Sequence, residues 1–172
     1  MQSQRALRGY SVQEKLDATE TARLFALVNV ASADALIACA DGKFHFNFWR
    51  PIGAISAGDT DGNPATVPEP GWTSLVPTPN FPEYPSNHSC STTAIASVID
   101  GLKGDAPFTF TVTSVRGTPP ALADTHTFTS AEQLIREVGN ARVWAGIHWR
   151  FSVEEGTAIG REVAERVLRA DI

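Results

Sequence analysis

Three short segments of the chain carry residues that together suit the binding of a small oxyanion and chemistry on it. The first runs from Lys43 to Arg50-Pro51, the second is Pro85-Ser86-Asn87-His88, and the third runs from Arg142 to His148. They supply three fixed cations, one hydroxyl group and two imidazoles. Cations and N–H or O–H donors hold the oxygens of an anion, and an imidazole exchanges protons near neutral pH. The three segments therefore predict a site for a tetrahedral oxyanion.

Local patterns predict the elements that position these side chains. Asp41-Gly42 predicts a break or kink, after which a second helix carries Lys43 and Arg50. These two residues are seven apart, so on that helix they would lie two turns apart on one face, and the helix would end near Pro51. Ser86 is predicted to begin a helix that runs to about Leu102. The first N–H groups of a helix are free and its dipole is positive there, which suits an anion.

Each of these residues also has a purely structural interpretation. Ser86 fits a simple helix cap, the cations fit solvated or salt-bridged residues, and His148 fits a hydrogen-bonded core histidine. Arg50 is harder to explain in this way, because a free charge is costly within its aromatic, proline-flanked segment. The occurrence of all three segments in one chain favours the site. His45 and His126 match no segment and are predicted to take no part in it.

The order of these residues resembles the signature of the superfamily of vanadium-dependent haloperoxidases and type 2 phosphatidic-acid phosphatases. That signature is Lys, six residues, Arg-Pro; then Pro-Ser-Gly-His; then Ser-Arg, five residues, His, three residues, Asp. The flanks Phe48-Trp49-Arg50-Pro51 and Gly146-Ile147-His148-Trp149 resemble the soluble haloperoxidase-like branch more than the lipid phosphatases. The resemblance extends over roughly residues 20 to 170.

The chain departs from that signature at three positions. Asn87 stands where the pattern has Gly, and Asn tolerates the positive φ that would aim its N–H at the anion. Ala141 replaces Ser and removes an outer hydrogen bond. Ser152 replaces the Asp that orients the second histidine in the family. Because Ser brings no charge, weaker orientation of His148 and weaker vanadate affinity are expected.

The resemblance implies a vanadium-dependent haloperoxidase that uses hydrogen peroxide to oxidise a halide, which then halogenates an organic acceptor. Vanadate would be bonded to His148, with His88 as the acid–base group, and held by Lys43, Arg50, Ser86, the Asn87 N–H and Arg142. One alternative is an acid-phosphatase-like phosphomonoesterase, with phosphate in the same site and a phosphohistidine at His148. Another is a degenerate member of the family that binds anions without catalysis.

Composition limits the classes of function. The chain has 172 residues, 42% of them hydrophobic, which predicts a single domain over residues 1–172. A net charge of −5 argues against a nucleic-acid partner, so the expected partners are small molecules. No apolar run reaches about 20 residues, and the N-terminus lacks an apolar signal segment, so a soluble chain of unknown location is expected. Cys39 and Cys90 are predicted to be buried free thiols, with a bridge between them as the alternative.

The predicted fold is mainly α, a helical bundle of the haloperoxidase and acid-phosphatase type with long Pro/Gly-rich loops and at most a short β-arm. Residues 108–115 alternate and predict a strand, and residues 56–85 predict a loop insert that walls the site. A homodimer is an open possibility. Helix starts are predicted from capping boxes at Ser11–Glu14, Ser130–Gln133 and Ser152–Glu155, with helix ends near Val138 and Arg169.

Overall fold

The structure is a computed structural model that describes residues 2–116 and 122–170. Within those ranges it contains six helices and one two-stranded antiparallel sheet, which confirms the mainly α prediction. In chain order the elements are α1 Gln2–Gln13, α2 Ala18–Phe46, α3 Pro51–Ser56, α4 Asn87–Leu102, β1 Phe110–Arg116, β2 Leu122–Phe128, α5 Ala131–Trp144 and α6 Arg150–Arg169.

Helix α4 lies at the centre of the bundle and packs against α2, α5 and α6. Its most extensive contact is with α6, where Gly156 and Gly160 face it. A Cβ at Gly160 would lie 2.5 Å from the Cys90 carbonyl oxygen, and one at Gly156 would lie 2.7 Å from the Ser86 carbonyl oxygen. The two glycines therefore let α6 approach the backbone of α4 at the start of the second segment.

Helix α2 continues through Asp41-Gly42, where the sequence predicted a break. An Asp17–Glu20 capping box begins it, and Asn47, in the left-handed region at φ 45°, ends it. Lys43 therefore lies in the last turn of α2, whereas Arg50 lies beyond it as the cap residue of α3. The prediction that both cations share one helical face is wrong, because the chain turns at Asn47 between them.

The other helix starts were predicted with mixed success. Ser130 caps α5 as expected and accepts a hydrogen bond from the Gln133 N–H. Ser11 and Ser152 lie inside α1 and α6, so their capping boxes are wrong. Helix α5 also continues past Gly139 to Trp144, because that glycine packs against Val153 and fits within the helix. Helix α6 ends at Arg169 as predicted.

The predicted strand is confirmed as the first half of a hairpin. Strand β1 pairs with β2 from Phe110 opposite Phe128 through Thr113 opposite Thr125, and the turn lies outside the described residues. Phe110 and Phe128 are buried, and α1 packs against β1, so the hairpin closes one side of the helical core.

Two sequence predictions concern α2. Cys39 and Cys90 are both buried and free, as predicted, and the Cys39 thiol donates to the Pro85 carbonyl at 3.5 Å.

The helical stretch Ala18–Ser56 is long and apolar enough to cross a membrane by length and composition, with a mean hydropathy of 1.6 over its most apolar window. Long core helices share these properties, so the absence of a membrane span stays a prediction.

Candidate active site at the start of helix α4

Ser86 is the cap residue of α4 and is fully buried. Its hydroxyl oxygen accepts hydrogen bonds from the Ser89 N–H at 3.4 Å and the Ser89 hydroxyl at 3.1 Å, so its own hydrogen remains available for donation. The Ser86 N–H donates to the Ser152 carbonyl at 2.9 Å. That bond joins the second segment to helix α6, which begins just after His148.

Asn87 is the first residue of α4 and has a helical backbone with negative φ, so a positive φ is not needed at this position. Within the described residues, neither the Asn87 N–H nor the His88 N–H has a protein acceptor. The Asn87 side-chain oxygen is buried without a donor, and a rotated amide would present its NH₂ group there. The helix start therefore offers free donors where the sequence predicted them.

Arg142 lies near the end of α5, and a turn at Gly146 leads from it to His148. Gly146 has φ +73°, and a Cβ there would lie 2.8 Å from the Trp72 ring. The Leu75 N–H donates to the Ala145 carbonyl at 3.0 Å, so part of the 56–85 loop packs on this turn as a wall of the site. The Arg142 Nε is buried without a protein acceptor, which leaves one cationic donor for a ligand.

Arg50 joins the first segment to the third. Its Nη1 donates to the Ile147 carbonyl at 2.7 Å, and its Nε donates to the Phe81 carbonyl at 3.1 Å. The guanidinium carbon also lies 5.1 Å from the centre of the Phe81 ring, a cation–π contact. Arg50 therefore fixes the carbonyl just before His148 and keeps its positive charge beside the site.

Lys43 is 2% exposed, and its ammonium group donates to three backbone carbonyls. These belong to Pro82 at 3.0 Å, Glu83 at 2.8 Å and Pro85. An ammonium has three N–H donors, so the backbone that leads into α4 uses all of them. A direct bond from Lys43 to an anion, as predicted, would require the loss of one of these three carbonyl bonds. The positive charge of Lys43 acts on the site whether or not that bond forms.

Glu83, which the sequence analysis did not identify, is the partner of His148. Its carboxylate is fully buried and lies 2.6 Å from His148 Nδ1, and it also accepts from the Trp149 N–H at 3.0 Å and from the Ser152 hydroxyl. The expected loss of a charged partner at His148 is thus corrected. The only sequence signal for Glu83 was that it is a lone acidic residue between prolines, two positions before Pro85. It lies 65 residues from His148 in the chain.

Both histidines have lowered pKa values. Burial lowers the pKa of His148, and the hydrogen bond and charge of Glu83 oppose that shift. The pKa of His88 is lowered to about 4 by desolvation first, then by the positive charge of Arg142, His148 and Lys43. His88 is nevertheless partly exposed to solvent.

A cavity of about 370 Å³ adjoins His88 and lies between α4, α5, β1 and the start of α1. Its wall is part polar and part apolar. The residues that line it besides His88 are Ser3, Ser91, Thr92, Ile95, Phe110, Val112, Leu134 and Val138.

The three segments therefore meet at one place, joined by the hydrogen bonds of Lys43, Arg50 and Ser86 described above. The family described as the VCPO second helical-bundle domain matches residues 23–170. The chain belongs to the vanadium haloperoxidase family.

His45, predicted to take no part in the site, is exposed at the end of α2, and His126 lies on β2 beside Glu137.

Individual members of this family also match the chain in sequence and structure. The vanadium chloroperoxidase of Curvularia inaequalis is 28% identical over a 172-residue alignment that covers 76% of this chain and 28% of that protein. The crystal structure described as the first bacterial vanadium-dependent iodoperoxidase matches with a TM-score of 0.74 and 30% identity, over 92% of this chain and 35% of that one.

An apo bacterial vanadium-dependent chloroperoxidase has the same fold, with a TM-score of 0.65, 19% identity, and coverage of 88% of this chain and 38% of that one. The chain thus spans between 28% and 38% of the length of these relatives.

Proposed function

We propose that the chain carries the vanadate site of a vanadium-dependent haloperoxidase, which uses hydrogen peroxide to oxidise a halide. The observation that carries this proposal is the meeting of unpaired donors at the start of α4 with His148, within a fold whose relatives are haloperoxidases. The buried Arg142 Nε and the free N–H groups of Asn87 and His88 suit an oxyanion, since a buried donor is costly without an acceptor.

Each residue has a role that follows from its contacts. His148 presents Nε2 as the ligand atom, because its Nδ1 faces Glu83. Arg142, the Ser86 hydroxyl and the two N–H groups of the helix start would hold the oxygens of vanadate, while Arg50 and Lys43 would add positive charge without direct contact. His88 lies at the open side and is neutral near pH 7, so its imidazole can accept a proton from incoming peroxide.

Vanadate, when bound, supplies the Lewis acid that activates peroxide without a change in its own oxidation state. The chain contributes fixed positive charge, which stabilises negative charge on the peroxide oxygens and needs no reorganisation during the reaction. The cavity beside His88, whose wall is part polar and part apolar, suits a small organic acceptor.

The test is halide oxidation by the purified protein with hydrogen peroxide and an organic acceptor, with and without orthovanadate. Iodide, bromide and chloride are compared, because iodide is the most easily oxidised. Vanadate-dependent turnover that is lost in His148→Ala but kept in His126→Ala supports the proposal. A folded protein that binds orthovanadate yet turns over no halide contradicts it.

Phosphomonoester hydrolysis is the second candidate, and the Glu83–His148 pair favours it. A carboxylate that orients an imidazole also prepares it as a nucleophile toward phosphorus. Hydrolysis of an aryl phosphate that orthovanadate inhibits and His148→Ala abolishes would support this activity. If neither assay shows turnover while orthovanadate binds, the chain acts as an anion binder.

A further inference from the structure

Glu83 is held more firmly than any other acidic side chain in the described residues. Its carboxylate accepts from His148, Trp149 and Ser152, its N–H donates to the Phe48 carbonyl at 2.9 Å, and its carbonyl accepts from Lys43 at 2.8 Å. A fully buried carboxylate is tolerated only with such partners. Glu83 therefore has a single position and orientation relative to His148.

That position decides the tautomer of His148. A carboxylate at 2.6 Å from Nδ1 accepts the proton that Nδ1 carries. The second ring nitrogen, Nε2, then keeps its lone pair and lies on the side of the ring away from Glu83. When the partner that orients a ligating histidine through its other nitrogen is removed by mutation, metal affinity typically falls by about 10–100-fold.

Ser152 takes the complementary role. It lies four residues after His148, in the first turn of α6, and its hydroxyl donates to the second oxygen of Glu83. An aspartate at this position would bring a second carboxylate against the first, and two such groups repel when both are charged. An uncharged hydroxyl donor at position 152 is thus compatible with the carboxylate of Glu83, whereas a second carboxylate is not.

We propose that Glu83 is the positioning residue for His148, and that Ser152 is its matched donor. This inference rests on the proposed function for the importance of Nε2, but the tautomer of His148 is a property of the protein alone. It also reverses the expectation from the sequence, since Ser152→Asp should weaken anion binding and not strengthen it.

The experiment combines two readouts on wild type, Glu83→Gln, Ser152→Asp and the double variant, with Glu69→Gln as a control in the same loop. Imidazole nitrogen NMR on the protein without vanadate gives the tautomer of His148, assigned by loss of its signals in His148→Asn. Calorimetric titration with orthovanadate gives the affinity, and circular dichroism checks that each variant is folded.

We expect wild-type His148 in the form with the proton on Nδ1, and roughly 10–100-fold weaker orthovanadate binding in Glu83→Gln. Ser152→Asp alone weakens binding. In the Glu83→Gln background the same change strengthens it, because a single carboxylate then faces the ring again. This reversal of sign would not arise from a merely structural role for either residue.

Wild-type His148 with its proton on Nε2 would overturn the inference, and this result does not depend on any variant folding. Unchanged orthovanadate affinity in folded Glu83→Gln would also overturn it. If the wild type binds no orthovanadate, the proposed function fails, while the tautomer measurement still decides the role of Glu83.

Discussion

At the scale of single residues, the site separates side chains that face a ligand from those that support the backbone around it. Arg142 and the N–H groups of Asn87 and His88 retain free donors, whereas Lys43 and Arg50 use theirs on carbonyls of the surrounding loops. Three cations and two imidazoles share this region, and the charge of Glu83 opposes the mutual repulsion of the cations. An anion bound among them would relieve the same repulsion.

Acid should destabilise the protein in part through His88. Its pKa is about 4 in the folded protein against an ordinary value of 6.5, so the unfolded chain binds a proton first as the pH falls. The contribution of neutral His88 to stability is complete above pH 6.5 and is lost as the pH falls towards 4. Melting temperatures measured across this window should fall less steeply in His88→Gln than in the wild type.

The exposed His45 provides the control, because its replacement by Gln leaves the site intact. His45→Gln should keep the wild-type pH profile. A His88→Gln profile that coincides with the wild type would show that the proton affinity of His88 does not change on folding. Added phosphate or orthovanadate should reduce the effect, since a bound anion offsets the positive charges that lower the pKa of His88.

Removal of the Lys43 ammonium should destabilise the fold as well as the site. Lys43→Met leaves three carbonyl oxygens without their donor. Each buried unsatisfied group costs about 1–3 kcal/mol, so we expect a loss of about 3 kcal/mol or more in urea unfolding. Lys15→Met, at an exposed position, should change little. Equal unfolding free energies for the two variants would mean that these bonds do not form.

At the scale of elements, the contact between α4 and α6 sets the position of the site. The Ser86 N–H and the Ser152 carbonyl bond across this contact, so any separation of the helices moves the second segment relative to His148. Gly156 and Gly160 permit the close approach. Sequence patterns identified both helices, but the depth of their contact depends on which glycine faces which carbonyl.

A methyl group at Gly160 should force these helices apart. Gly160→Ala places a Cβ 2.5 Å from the Cys90 carbonyl and 3.0 Å from the Ala94 nitrogen, both of them backbone atoms that cannot rotate away. Such overpacking costs about 1–3 kcal/mol. Gly9→Ala, in α1 with open space around it, should instead stabilise by about 0.5–1 kcal/mol through helix propensity.

Chemical denaturation of both variants measures the difference, and orthovanadate titration of Gly160→Ala should show weaker binding. If Gly160→Ala is as stable as Gly9→Ala, the close approach of α6 to α4 is not present in solution.

At the scale of the whole molecule, the outer face of α2 is apolar and carries no other element in the described residues. Ala26, Ala33 and Ala40 repeat every seven residues, and Val30, Ile37 and Phe44 repeat between them. Ile37 is 67% exposed and Phe44 72% exposed. This is the spacing by which helices pair along a common seam, with small residues alternating with large ones. A second copy of the chain would present the same stripe.

We propose that the chain forms a homodimer through α2. Ile37→Glu introduces a charge into the stripe of each copy and should convert the dimer to a monomer in light-scattering measurements over a range of concentrations. Leu75→Glu, at an exposed loop position, should leave the mass unchanged. A wild-type monomer at every concentration, with a cooperative melt, would contradict the homodimer.

The sequence by itself predicted the three segments of the candidate site and the class of fold. Residue types at fixed spacings identified the three segments, and capping and periodicity located α4, the end of α6 and strand β1, because these signals act within a few residues. The same local signals failed where a distant contact decided the outcome. Helix α2 passes through Gly42, where a Cβ would lie 3.1 Å from Pro85, and α5 passes through Gly139.

Only the tertiary structure decided which polar groups of the candidate site are paired with one another and which keep free donors. The pairing of Glu83 with His148 joins residues 65 positions apart, and Lys43 is held by carbonyls about 40 positions away. Neither contact follows from a motif, because burial within the packed bundle selects the partners. A buried charge must be compensated by whichever polar groups the fold brings to it. The carboxylate that meets this requirement at His148 comes from Glu83 in the loop before α4, because Ser152 in α6 carries no charge.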